Sequence, residues 1–204
     1  MQTKKPDFYN NLDKTYEKIW DLLNKGLADR NNPFHIPVFI CGSKMNIGGR
    51  IVVLRGFDKR NKNLFFHSDI RSNKINLLKS QPQGTFLFYD KIEKIQLRIS
   101  CKMNIHYQND KAKESWINTA HMSRQCYLGN IAPGSDCLEP TSGLSEDIDN
   151  SKYTLEESEV GFKNFCVLEG IITSIEWLYL ASKGHRRAKF SFKDNHVDKK
   201  WLIP

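Results

Sequence analysis

Between Arg50 and Lys74 the chain reads RIVVLRGFDKRNKNLFFHSDIRSNK, with seven Lys and Arg against two Asp. That is a net +5 out of the +8 carried by the whole protein. Apolar strand residues fill the space between the cations, so the stretch is either a solvated basic surface or a seat for an anion. Ser68, Arg71, Ser72 and Lys74 cluster where a strand gives way to a helix. A helix N-terminus presents unpaired N–H groups and partial positive charge, and hydroxyls with two cations beside it suit a phosphate. Each charge-assisted hydrogen bond there contributes roughly 1.5–3 kcal/mol. The bland alternative is that Ser72 only caps the helix while Arg71 and Lys74 are solvated. Lys59, Arg60 and Lys62, in the turn DKRNKN, are expected to form a solvated tip, because turns lie on surfaces.

A second polar set interrupts a strand. In IQLRISC, Ile95, Leu97, Ile99 and Cys101 share one face while Gln96, Arg98 and Ser100 share the other. A half-exposed strand explains this on its own, yet Gln96 can both donate to and accept from the edge of a heteroaromatic ring. His67 titrates near neutrality when unperturbed and so could serve as a base; its strand position beside the basic cluster favours hydrogen bonding or stacking. His121 and Arg124 are three apart on one helix face and could line a substrate side, or simply face solvent. The five cysteines (Cys41, Cys101, Cys126, Cys137, Cys166) are odd in number, scattered and without a C-x-x-C pair. They are expected to be core residues, with no metal site and no disulfide framework.

The elements that must position these residues are mostly strands. Apolar residues at steps of three and four from Phe8 to Leu23 predict a helix, within an N-terminal helical segment 1–30, ended by Gly26. HIPVFICG and RIVVLRGF predict a hairpin around a Gly/Asn-rich turn, followed by the strand NLFFHSD. SNKINLLKSQP predicts a short helix, capped by Asp69 or Ser72 and stopped by Pro82. GTFLFYD and IQLRISCKM make another strand pair, DKAKESWINTAHMSR a second helix over 110–124, and NFCVLEG, SIEWLYL and RRAKFSF three more strands. Residues 129–160 are expected to be a loop or lid, since so long a segment without core residues is usually functional. Many strands at short spacing with helices between them predict a closed or nearly closed antiparallel barrel.

Composition narrows the class. A chain of 204 residues, 39% hydrophobic and 11% aromatic, suits one domain over 1–204 with a real core. No apolar run approaches the ~20 residues of a membrane span, and the first residues lack the apolar stretch of a signal peptide. A cytoplasmic protein without membrane contact is the expectation. A pI near 9.2 permits nucleic-acid binding, but the cations gather at one hairpin instead of alternating with stacking aromatics along a groove.

RIVVLRGFD, LFFHSDIRSNK, a helix ending near QP, an aromatic strand, EKIQLRISC, GHRRAKF and a terminal WLIP occur in that order. Together they resemble the pyridoxamine 5'-phosphate oxidase-like family of FMN-binding split barrels, over nearly all the chain and most strongly from Arg50 to Cys101. The resemblance implies a mainly β (α+β) fold: a six-stranded antiparallel split β-barrel with peripheral helices. It also implies a homodimer with one FMN at each end of the subunit interface. By matching position, Arg50, Arg55, His67, Ser68, Arg71, Ser72 and Lys74 would hold the FMN phosphate, and Gln96 would touch the isoalloxazine ring. Arg50 and Arg55 lie an odd number of residues apart, so an ideal strand sends them to opposite faces; both reach one phosphate only if the strand bends, bulges or ends. Where oxidases of vitamin B6 carry Arg-x-His near the C-terminus, this chain has His185, Arg186 and Arg187. Where they place Tyr, Arg and Ser along the second helix, it has Trp116, Ala120 and Arg124. The substrate candidates are therefore Arg124, His185, Arg186 and Arg187, with no residue singled out as catalytic and no metal. The implied function is an FMN-dependent oxidoreductase acting on a small anionic substrate, the alternative being a non-catalytic flavin-binding module of the same fold.

Overall fold

The computed structural model describes residues 5–43, 46–182, 184–194 and 196–204. Residues 1–4, and residues 44–45 of the expected Gly/Asn-rich turn, lie outside them.

Helix α1 (Leu12–Ala28) is opened by Asn11, whose side-chain oxygen accepts from the Lys14 N–H at 3.0 Å. Its Ile19, Trp20, Leu22 and Leu23 are buried. Phe8 and Tyr9 precede the helix and pack their rings against Trp177 and Tyr179. Gly26 does not stop it. The helix passes Phe34 so closely there that an added Cβ would sit 2.6 Å from the Phe34 carbonyl, so the glycine serves a contact and not a turn.

Nine strands follow among the described residues: β1 (Val38–Ser43), β2 (Asn46–Ile51), β3 (Gly56–Asp58), β4 (Asn63–Asp69), β5 (Gln83–Asp90), β6 (Ile95–His106), β7 (Phe165–Tyr179), β8 (Arg186–Lys193) and β9 (His196–Leu202). All pairings are antiparallel, in the order β2-β1-β5-β6-β7-β4-β3, with β8 on β7 and β9 on β8. β2 and β3 are two halves of one strand interrupted at residues 52–55. In the gap, Val52 and Leu54 donate their N–H groups to the carbonyls of Pro37 and His35, while Arg55 donates to Phe65 at 2.8 Å. The strand thus leaves β1 and joins β4, closing the order into a ring. Counting β2 and β3 once and setting aside the β8–β9 hairpin leaves the six strands expected of the split barrel; the nine arise from the break and the added hairpin.

β7 was expected as two strands and is one of 15 residues, pairing first with β4 and then with β8. The register against β6 shifts between Ser100 and Cys101. Thr173 is the extra residue, and its hydroxyl donates to the Ser100 carbonyl at 3.0 Å. The bulge absorbs the change in alternation that reads in sequence as a strand end. Inside the ring Phe39, Phe66, Phe86 and Phe88 pack against Leu97 and Trp177. The alternation of IQLRISC holds: Ile95, Leu97, Ile99 and Cys101 are buried, while exposed Arg98 pairs with Glu176.

Helix α2 (Asn73–Ser80) follows β4. The second long helix is broken into α3 (Asp110–Ile117) and a single turn, α4 (His121–Arg124). Residues 129–164 carry only short helical turns at Glu146–Asp149 and Glu157–Asn164. Cys41, Cys101 and Cys166 are buried as expected, but Cys126 and Cys137 are exposed because both follow the break and lie off the sheet. Among the described residues no helix is long and apolar enough to cross a membrane.

Gly26→Ala is expected to lower stability by about 1–3 kcal/mol through overpacking against Phe34, outweighing alanine's helix preference of about 1 kcal/mol. A lower urea midpoint at unchanged slope reports it; a higher midpoint would show that Phe34 yields without cost.

Candidate functional site

An open pocket of about 540 Å³ lies against the strand break, and Arg50, Arg55, His67, Ser68, Ser72 and Lys74 all line it. The break answers the parity problem. Residues 52–55 are not in a regular strand, so Arg50 and Arg55 need not alternate and both reach one cavity.

Lys74, in the first turn of α2, donates its ammonium to Ser68 Oγ and Ser72 Oγ, each at 2.9 Å. Ser72 occupies the N-cap position, yet its hydroxyl makes no capping bond to the helix; it donates instead to the Asp69 carbonyl at 2.7 Å. The helix start is therefore built around the lysine, and neither Ser72 nor Asp69 caps it through a side chain. The Asp69 carboxylate is committed to Arg71, accepting from its backbone N–H at 2.8 Å and from Nε and Nη2 at 3.0 and 2.7 Å. Among the described residues no carboxylate makes an ion pair with Arg50, Arg55 or Lys74. Burial, and then the Arg50 guanidinium, hold the Lys74 ammonium below its usual pKa. An anion entering the pocket would relieve that strain and supply the missing charge. Arg50 also donates through Nη1 to the buried Cys41 thiol at 3.0 Å, which fixes it at the pocket floor.

His67 stands at a second boundary. Its Nε2 is 2.7 Å from Ser115 Oγ on α3, and its ring meets Phe165 edge-on with centroids 4.8 Å apart. Burial and then the Arg55 charge push its pKa down to about 4, so the imidazole is neutral at physiological pH. α3 is held in place for this contact by the buried Glu169 carboxylate, which accepts from Lys111 at 2.6 Å and bonds His106 Nε2 at 2.8 Å. Ser115 on α3 was not among the sequence candidates, and neither were Met122, Ser123 and Tyr127, which line the far side of the pocket with Cys126, expected in the core, and Pro133, from the expected lid segment. A serine at i+4 from Lys111 on the polar face of a helix was the one signal for the first.

The remaining candidates lie elsewhere. Arg71 faces away, its Nη1 reaching the carbonyls of Gly129 and Asn130 at 2.9 and 3.3 Å. Gln96 sits half-buried in the ladder between Tyr89 and Leu178 and does not line the pocket. Arg124 is 3% exposed, stacks on Trp116, pairs with Glu159 and donates to the carbonyls of Thr119 and Trp116. Its guanidinium caps the end of α3, which is why the helix breaks and why Trp116, Ala120 and Arg124 do not stand at successive turns of one helix. Arg186 lies over the Tyr9 ring at 4.1 Å, Arg187 pairs with Glu176 at 2.6 Å, and His185 is exposed beside them. The tip residues Lys59 and Arg60 are exposed, as expected of a turn, but Lys62 is half-buried with its ammonium over the Phe192 ring at 5.7 Å.

Since the folded-state pKa of His67 lies below the unfolded value near 6.5, the stability it contributes is complete above that pH and is lost as pH falls toward 4. The loss amounts to roughly 3 kcal/mol at most. His67→Asn should therefore be less acid-sensitive than the parent between pH 6.5 and 4, compared by urea midpoints at each pH. Equal losses in the two proteins would mean that the fold does not hold the imidazole neutral.

Residues 43–107 match the model of the family described as pyridoxamine 5'-phosphate oxidase, FMN-binding domain. A pyridoxine/pyridoxamine 5'-phosphate oxidase 2 of Arabidopsis thaliana is 23% identical over 188 residues, covering 87% of this chain and 90% of the relative. The fold is shared with a pyridoxamine 5'-phosphate oxidase-related, FMN-binding protein of Nostoc punctiforme, at a TM-score of 0.74, 15% identity, and 99% and 100% of the two chains. It is shared also with PhzG of Burkholderia lata, solved with tetrahydrophenazine-1-carboxylic acid, at a TM-score of 0.69, 16% identity, and 100% and 99% of the two chains. The family match over the basic hairpin and the fold over the whole chain agree: residues 43–107 are similar to an FMN-binding domain of the pyridoxamine 5'-phosphate oxidase family, and the whole chain has the fold of a pyridoxamine 5'-phosphate oxidase-related, FMN-binding protein.

Proposed function

We propose that the protein is an FMN-dependent oxidoreductase acting on a small anionic substrate, and that Arg50, Arg55, Ser68, Ser72 and Lys74 hold the FMN phosphate. The observation that carries this is the uncompensated charge: three cations and two hydroxyls line one pocket, with the nearest carboxylate already taken by Arg71. That donor set fits a phosphate dianion, which accepts several charge-assisted hydrogen bonds at once. His67, neutral and tied to Ser115, offers a hydrogen-bonding edge on the same wall. Arg71, by contrast, anchors the segment after Leu128 and supports the site without entering it. FMN, when bound, accepts hydride at its ring system. The chain contributes position, positive charge and exclusion of water, the last through residues 122–133 on the far wall.

An anionic substrate is supported by the phosphate in the relative's name and by the carboxylic acid bound to the PhzG neighbour. Gln96, His185, Arg186 and Arg187 lie away from the pocket within one chain. A homodimer is the arrangement in which a second copy would present such residues to it, and it is part of the reading.

The protein should purify yellow with close to one FMN per chain and run as a dimer in light scattering. Lys74→Ala or Arg55→Ala should weaken FMN binding by roughly 1.5–3 kcal/mol, about ten- to a hundredfold, while riboflavin, lacking the phosphate, loses much less. Arg60→Ala in the exposed turn is the control. FMN affinity within a factor of two of the parent in both variants would make the basic hairpin a solvated face.

With Arg124 buried and the Arg-x-His spacing absent, oxidation of pyridoxamine 5'-phosphate should be slow or undetectable by oxygen uptake. A kcat/KM of about 10⁴ M⁻¹s⁻¹ or above would show that Arg186 or Arg187 has taken over substrate binding.

A further inference from the structure

We propose that Cys126 and Cys137 are an oxidation site: hydrogen peroxide converts them to a disulfide that clamps residues 129–144 along the wall of the anion pocket. A second pocket, of about 530 Å³, is built by this segment together with Arg71, Gln125 and Asp149, and both cysteines line it. Cys126 and Pro133 line the anion pocket as well, so the two cavities share a wall.

The five thiols divide sharply. Cys41, Cys101 and Cys166 are buried; burial pushes the Cys166 thiol up to about 12 and that of Cys101 higher still, which leaves them inert. Only Cys126 and Cys137 are exposed. The segment that carries Cys137 is tied near its two ends and unpaired between them. Arg71 holds the carbonyls of Gly129 and Asn130 at one end, and Ser142 donates to Asp149 at 2.7 Å at the other. Between these anchors no residue pairs with a strand, and Gly134 sits at φ +87° with open space around it. A disulfide requires Cα atoms roughly 4.4–6.8 Å apart, so the bridge requires Cys137 to cross the cavity that both cysteines line.

The chemistry balances with one peroxide. The thiolate of one cysteine attacks a peroxide oxygen and breaks the O–O bond, giving a sulfenic acid and, with the released proton, water. The second sulfur then attacks the sulfenic sulfur, forms the S–S bond and expels the hydroxyl, which leaves as water with the second thiol's proton. Two thiols are oxidised, one peroxide is reduced, and two waters form.

This inference stands independently of the cofactor reading, and measuring FMN content in parallel keeps the two apart. The full chain is treated with hydrogen peroxide, alkylated and digested without reduction. The expected result is a Cys126–Cys137 peptide pair, a loss of two of the five free thiols, and full reversal by dithiothreitol. Limited proteolysis within 129–144 should slow by about fivefold or more in the oxidised form, because the bridge suppresses local opening. Cys137→Ser should form no internal bridge and keep its cleavage rate after peroxide. Sulfinic or sulfonic acid at Cys126 as the main product, a bridge between chains, or an internal bridge that leaves cleavage unchanged would each overturn the proposal.

Discussion

A barrel strand that must change partners cannot stay regular, and the break at residues 52–55 is the constraint on which this molecule is built. On one side of it the chain pairs with β1, and on the other with β4. Because every backbone N–H and C=O must still find a partner, the transition is bridged by the bonds of Val52, Leu54 and Arg55 to Pro37, His35 and Phe65. The irregular backbone closes the ring of strands and, in the same four residues, frees Arg55 from the alternation that would separate it from Arg50.

The pocket at this break is positive because the acid that lines it is spoken for. Asp69 is held by Arg71. That pairing satisfies a buried carboxylate that would be costly to leave alone, and it removes a counter-ion from the pocket. What remains is a lysine held by two hydroxyls between two arginines. Such a cluster is costly without an anion and stabilised by one, so an anion bound there would add to the stability of this end of the barrel.

Residues of one type take unlike roles according to what surrounds them. Arg124 is an internal tie that ends α3, Arg71 anchors a surface segment, and Arg50 and Arg55 face a cavity. The cysteines divide in the same way, three buried and two exposed beyond α4. At the α3–α4 corner the Arg124 guanidinium is turned inward against Trp116 and Glu159.

Much was legible in the sequence. The alternation of IQLRISC, the exposed turn residues Lys59 and Arg60 and the succession of short strands follow from local periodicity and turn chemistry, which act over a few residues. The basic hairpin was legible from charge and residue type as either an anion seat or a solvated face, and the pocket places Arg50, Arg55 and Lys74 along one cavity. Other features depended on contacts between residues far apart in the chain. Gly26 reads as a stop until Phe34 is placed against it; β7 reads as two strands until the bulge at Thr173 meets β6; and the helix over 110–124 reads as continuous until Arg124 folds back on its carbonyls. Whether a cation faces solvent, an acid or a pocket is likewise decided by the partner that tertiary structure delivers, and for Asp69, Glu159 and Ser115 that partner could not be read from spacing. The sequence by itself determined the order of elements and the sign of the site; only the closed barrel, by forcing a strand to change partners, decided which of its charges would stand together uncompensated.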